Sequence, residues 1–115
     1  MSSSEQLKFL FFNEDGTLTD KFSTLLKEIF MKYDLDKDGM LDREEIRNYF
    51  STLNGEYLND FSLNLALLKT CGHTDGFYLK DFYQFYIDQT NEDICETYLD
   101  LKKQFNEETI INRLR

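Results

Sequence analysis

Apolar positions recur along most of this chain at the spacing of a helix face. Over residues 20–33 they are Phe22, Leu25, Leu26, Ile29, Phe30 and Tyr33, separated by three, one, three, one and three residues. Thr19 or Asp20 supplies an N-cap before them. Residues 43–53 repeat one face with Ile46, Tyr49, Phe50 and Leu53. Residues 59–70 carry Phe61, Leu63, Leu65, Leu67 and Leu68 around more of the circumference, which predicts a deeply buried helix capped by Asn59 or Asp60. Residues 80–89 hold Phe82, Tyr83, Phe85, Tyr86 and Ile87. A last helix is predicted at 91–105 from Ile94, Tyr98, Leu99, Leu101 and Phe105, opening on Thr90 to Asp93 as a near capping box. The run from Leu7 to Phe12 suits a short helix or a buried strand, and its period does not decide. Asn13 to Gly16 is a turn, and residues 107–115 add a helical turn or two. With no proline and five glycines, little interrupts these helices. The pattern predicts an all-α fold in a single domain over residues 1–115.

Composition narrows what such a domain does. Its 115 residues are enough for one self-supporting core. Aromatics make up 16 % of them, which argues against a disordered tail. No apolar run is long enough to cross a bilayer, so membrane insertion is not expected. The start, Met1 to Gln6, has no basic flank and no signal-like core. Two cysteines, Cys71 and Cys95, give no disulfide framework, and the expected compartment is cytoplasmic. The net charge of −9 disfavours nucleic acid and points to a cation or a basic protein face. One histidine, no nucleophile elbow and no glycine-rich phosphate loop leave no catalytic constellation, and no enzyme is expected.

The chemistry lies between the first two strong helices. Residues 34–45 place oxygen side chains at loop positions 1, 3, 5, 9 and 12, with glycine at 6: Asp34, Asp36, Asp38, Asp42, Glu45 and Gly39. Calcium is a hard cation that takes six to eight oxygens. The three early aspartates offer one oxygen each, Met40 offers its backbone carbonyl, and Asp42 acts directly or through water. Glu45 reaches back from the next helix with both oxygens. Gly39 supplies the positive φ that turns the chain, and Leu41 at position 8 points into the core. Without a cation, five converging carboxylates would repel one another.

This loop and its flanks resemble the EF-hand family of the calmodulin-like superfamily, over roughly residues 20–90. The resemblance implies a pair of hands whose position-8 residues meet in a short β-bridge, with calcium as cofactor. The second hand is expected at 59–89. Counting from Gly76 as the partner of Gly39, Tyr78 becomes the residue bridging Leu41, and Tyr83, Tyr86 and Ile87 match Ile46, Tyr49 and Phe50. That second loop, 71–82, is degenerate. Cys71, His73, Leu79 and Phe82 replace the oxygen ligands, Asp75 remains, and Asp81 sits one place early and serves only in a shortened loop. Cys71 and His73 by themselves lack two ligands for zinc and read as loop residues. An additional C-terminal helix follows over 90–115. The function expected is a calcium-responsive module binding an amphipathic helix of a partner protein. Its competitor is a structural or regulatory domain, within a larger assembly, whose fold calcium stabilises without switching. Methionine scarcity and Phe- and Tyr-rich faces favour the second of these.

Overall fold

A computed structural model describes residues 3–115. Met1 and Ser2, part of the start read above as lacking a signal-like core, lie outside the described residues. The described chain runs α1 (Ser3–Phe11), α2 (Asp20–Tyr33), β1 (Met40–Asp42), α3 (Arg43–Asn54), α4 (Asp60–Cys71), β2 (Gly76–Tyr78), α5 (Leu79–Glu92), α6 (Ile94–Gln104) and α7 (Glu107–Leu114). The all-α architecture with a two-stranded bridge is therefore present. It divides into two compact units, Glu28–Phe85 and the combination of Met1–Lys27 with Tyr86–Arg115.

In the unit Glu28–Phe85 the core is aromatic. Phe30 meets Phe82 edge-on at 5.7 Å between centroids, Tyr33 meets Tyr49 at 4.9 Å, and Tyr49 meets Phe82 at 5.5 Å. Ile46, Leu53, Leu63, Leu67 and Phe77 complete it. Each helix is stopped and started locally. Asp42 and Glu45 form a capping box on α3, Asn59 accepts from the Ser62 N–H at the start of α4, and Gly55 and Gly72 end the two helices in the left-handed conformation. Arg47, nearly buried, reaches the Leu58 carbonyl and bonds Asp60 at 2.5 Å, with its guanidinium 5.0 Å from the Tyr57 ring centroid. It thereby ties the α3–α4 connection to α3.

Two expectations fail here. Helix α4 is not deeply buried: only Leu63 and Leu67 are, while Phe61, Leu65 and Leu68 are 72 %, 53 % and 51 % exposed. A helix that is apolar all round gives no signal for which face is covered. The strand register also differs. Leu41 pairs with Phe77, not Tyr78, with Met40 opposite Tyr78 and Asp42 opposite Gly76. Helix α5 then begins two residues after Phe77, as α3 begins two after Leu41. The second loop is one residue shorter than the first, and Phe82 and Tyr86, both buried, take the places assigned to Tyr83 and Ile87. Gly76 is consequently a strand residue, unlike Gly39 with its turn φ of 84°.

In the other unit, the Leu7–Phe12 run resolves as the end of α1, and Phe12 bridges Leu18 across the predicted turn. Asp15 holds that turn by accepting from both the N–H and the hydroxyl of Thr17. Thr19 caps α2, its hydroxyl accepting from the Phe22 N–H at 3.1 Å, and Phe11 stacks on Phe22 at 4.5 Å. The C-terminal segment is two helices, not one. α5 runs on to Glu92, with the Thr90 hydroxyl buried against that of Thr97 at 2.8 Å. Asp93 rather than Thr90 then caps α6, accepting from the N–H groups of Cys95 and Glu96. Asn106 caps α7 in turn.

Asp100 of α6 is 8 % exposed and accepts from the Tyr86 hydroxyl at 3.1 Å and the Gln89 amide at 3.0 Å. Burial raises its carboxyl above the ordinary value, and nearby Glu96 adds to the rise, against the two hydrogen bonds and Lys103. A raised acid favours the fold in its protonated form, so its contribution is full at low pH and is lost as pH rises through the folded value. Asp100→Asn keeps an acceptor for both bonds without the charge. Its melting temperature should exceed the parent's at neutral pH, with the gap closing below the ordinary carboxylate range. A lower melting temperature at neutral pH would contradict this account.

Candidate metal centre

The loop 34–45 is organised by its own backbone. Asp34 follows the last residue of α2, its N–H still bonded to the Phe30 carbonyl at 2.9 Å. From there each carboxylate accepts an N–H further along the loop. Asp34 Oδ2 accepts from Gly39 at 3.0 Å, Asp36 Oδ1 from Asp38 at 3.4 Å, and Asp38 Oδ1 from Met40 at 3.0 Å. These bonds wind the chain around a centre, helped by Gly39 and by Lys37, which sits at φ 58°. Glu45 enters from the first turn of α3. Its Oε1 accepts from Asp42 N–H at 3.0 Å and its Oε2 from Leu35 N–H at 2.6 Å.

The result is a carboxylate cluster. Asp34, Asp36, Asp38 and Glu45 each present an oxygen, and these lie within 4.8 Å of one another. Asp42 is not among them; its carboxylate accepts from the Glu45 N–H at 2.9 Å. Met40 opens β1, and Leu41 behind it is 1 % exposed, inward as the sequence predicts. Crowding has an electrostatic consequence. Desolvation first, then hydrogen bonding with Asp38 and Asp34, pushes Asp36 up to about 6. The Met40 N–H holds Asp38 below its ordinary value.

Two features of the cluster fit a hard cation. All the donors are oxygens, the set that calcium prefers. Asp34 Oδ1 is buried and has no hydrogen-bond partner, a costly arrangement for a carboxylate oxygen unless an ion meets it.

The second loop gathers different chemistry. Cys71, His73 and Asp81 offer ligand atoms that also lie within 4.8 Å of one another. Asp81 is the residue that the sequence reading set aside. Its Oδ2 accepts from the Tyr78 N–H at 2.9 Å, repeating the bond from Asp42 N–H to Glu45. Only the shortened loop puts it there, so no fixed-length pattern would find it. Arg43 links the two halves of this unit, donating to Asn64 Oδ1 at 2.7 Å and to the Thr74 carbonyl at 2.9 Å.

The family model of the EF-hand domain matches residues 25–55, a span that takes in the C-terminal part of α2, the loop and α3. No curated protein matches the chain, and no solved structure does. Among the described residues no helix is long and apolar enough to cross a membrane.

Proposed function

We propose that the hand formed around residues 25–55, the span that the EF-hand family model matches, is a calcium-responsive protein-interaction module with a single calcium site. The observation that carries it is the convergence of Asp34, Asp36, Asp38 and Glu45 around the buried, unpartnered Asp34 Oδ1. In this reading the three aspartates each give one oxygen and Met40 its backbone carbonyl. Glu45 binds with both oxygens while keeping its N–H bonds, since a carboxylate has about four lone-pair sites. Asp42, engaged in capping α3, acts through a water. Residues 20–53 form the calcium-binding hand, 59–89 a hand that has lost calcium ligands, and 90–115 a helical addition, all in one domain.

The interaction role rests on α4. Phe61, Leu65 and Leu68 fall four and three residues apart, on one exposed apolar face. An amphipathic helix would cover it, and a net charge of −9 selects one with a basic polar side. Nucleic acid carries the wrong charge for this protein. The lone histidine and the Cys71 thiol, which burial pushes up and away from the reactive thiolate, support a binding protein rather than an enzyme. A cytoplasmic setting accords with free thiols at Cys71 and Cys95.

One observation favours the structural alternative. Glu45 accepts from the N–H groups of Leu35 and Asp42 and completes the capping box of α3, so hydrogen bonds within the protein tie this carboxylate in place as well as any ion would. Calorimetric calcium titration of the metal-stripped protein, in millimolar magnesium and with an apolar-surface dye, separates the two. One site in the micromolar range with increased dye binding supports the responsive module. One site with unchanged dye binding supports a calcium-stabilised structural domain. Absence of calcium binding would remove both.

A further inference from the structure

We infer that the second loop is a transition-metal site, in which Cys71, His73 and Asp81 hold one zinc-class ion where the first loop would hold calcium. The three side chains come from the end of α4, the loop and the first turn of α5, so they meet only when the loop is folded. Their donors are sulfur, imidazole nitrogen and a carboxylate oxygen. That set suits a borderline-soft ion such as Zn2+ and is poor for calcium, which requires six to eight oxygens.

The one-residue shortening of the loop makes the third ligand available. Asp81 occupies the position in the second hand that Glu45 holds in the first, with its carboxylate aimed inward and fixed by the Tyr78 N–H. The second observation concerns His73. Its Nδ1 is buried without a hydrogen-bond partner among the described residues. Its Nε2 stands 3.9 Å from Asp81 Oδ2, too far for a hydrogen bond. Ordinary packing explains Cys71, whose Sγ lies 3.3 Å from the Leu67 carbonyl, but it leaves one nitrogen of the His73 ring buried and unsatisfied while the ring stands next to a carboxylate.

Tetrahedral zinc bonds of about 2.0–2.3 Å put ligand atoms roughly 3.3–3.7 Å apart. The present cluster, within 4.8 Å, closes to this by moving about an ångström. His73 has room to make this adjustment, its side chain being 38 % exposed, whereas Asp81 is held by the Tyr78 N–H. Three protein ligands leave a fourth position open to water. The ion would brace the loop leading into β2, which is paired with β1 of the first loop.

The test uses the full chain saturated with calcium, so that the oxygen site is filled, and Co2+ as a spectroscopic probe with Zn2+ as competitor. One equivalent of Co2+ should give a thiolate-to-cobalt charge-transfer band that Zn2+ abolishes. Cys71→Ser should remove the band and weaken Zn2+ binding by at least about tenfold, and Cys95→Ser should change neither. His73→Gln, at a partly exposed position, should also weaken Zn2+ binding and serves if Cys71→Ser does not fold. Absence of a charge-transfer band at saturating Co2+, a band that disappears with Cys95 instead, or unchanged Zn2+ affinity in His73→Gln would overturn the assignment.

Discussion

Glu45→Gln should lower calcium affinity by on the order of a hundredfold, with the helix it begins left intact. Glu45 is 6 % exposed and supplies one of the four oxygens gathered at the first loop. The amide is nearly the same size, and its remaining oxygen can still accept the Asp42 N–H that closes the capping box. It lacks the charge and the second oxygen that a bidentate ligand provides. Its NH2 group would point a donor at the Leu35 N–H, where Oε2 now accepts at 2.6 Å. Loss of a charge partner in a largely buried site costs about 3 kcal/mol, which is on the order of a hundredfold in affinity. Calcium titration measures the affinity, and far-ultraviolet circular dichroism reports the helix. Unchanged affinity with an intact helix would show that Glu45 is a cap and not a ligand.

Gly76→Ala should cost about 3 kcal/mol of stability and, through it, weaken calcium binding at a loop it does not belong to. Gly76 faces Asp42 across the two strands at φ 155°. A Cβ there would lie 2.2 Å from the Leu41 carbonyl oxygen and 3.1 Å from Asp42 Cα, both backbone atoms that cannot rotate aside. The strands must separate, and β1 spans loop positions 7 to 9 of the calcium site. Thermal unfolding should shift down by about 10 °C or more for a domain of this size, and excess calcium should recover part of the loss by binding only the folded form. A variant melting within a degree of the parent would mean that the strand pairing contributes little to either property.

The carboxylate cluster of the first loop was legible because its information is local. Asp34, Asp36, Asp38 and Glu45 are near neighbours along the chain, and carboxylate-to-N–H bonds within the same stretch wind them together. The aromatic faces of α2 and α3 were legible for a related reason, since a strong 3.6-residue period marks one side for burial. The caps at Asn59 and Thr19 were legible as side chains bonding their own helix start, whereas Asp42, read as a ligand, caps α3. The exposure of Phe61, Leu65 and Leu68 was not legible, because the apolar residues of α4 spread around much of its circumference and the pattern cannot choose a face. The break at Asp93 was misplaced because Thr90 reads as a helix cap along the chain, whereas its hydroxyl is buried against Thr97 of the next helix and Asp93 is the cap.

By itself, then, the chain determined an all-α architecture with one carboxylate-lined loop, since helix periodicity, capping and the spacing of the acidic residues all act within about a dozen residues. Tertiary structure decided the register of the second loop. Phe77 rather than Tyr78 faces Leu41, in a register that brings the Gly76 backbone close to the Leu41 carbonyl, across a distance no local pattern spans. That single residue of slip brings Asp81 to Cys71 and His73 and leaves the two loops of the pair with different chemistry.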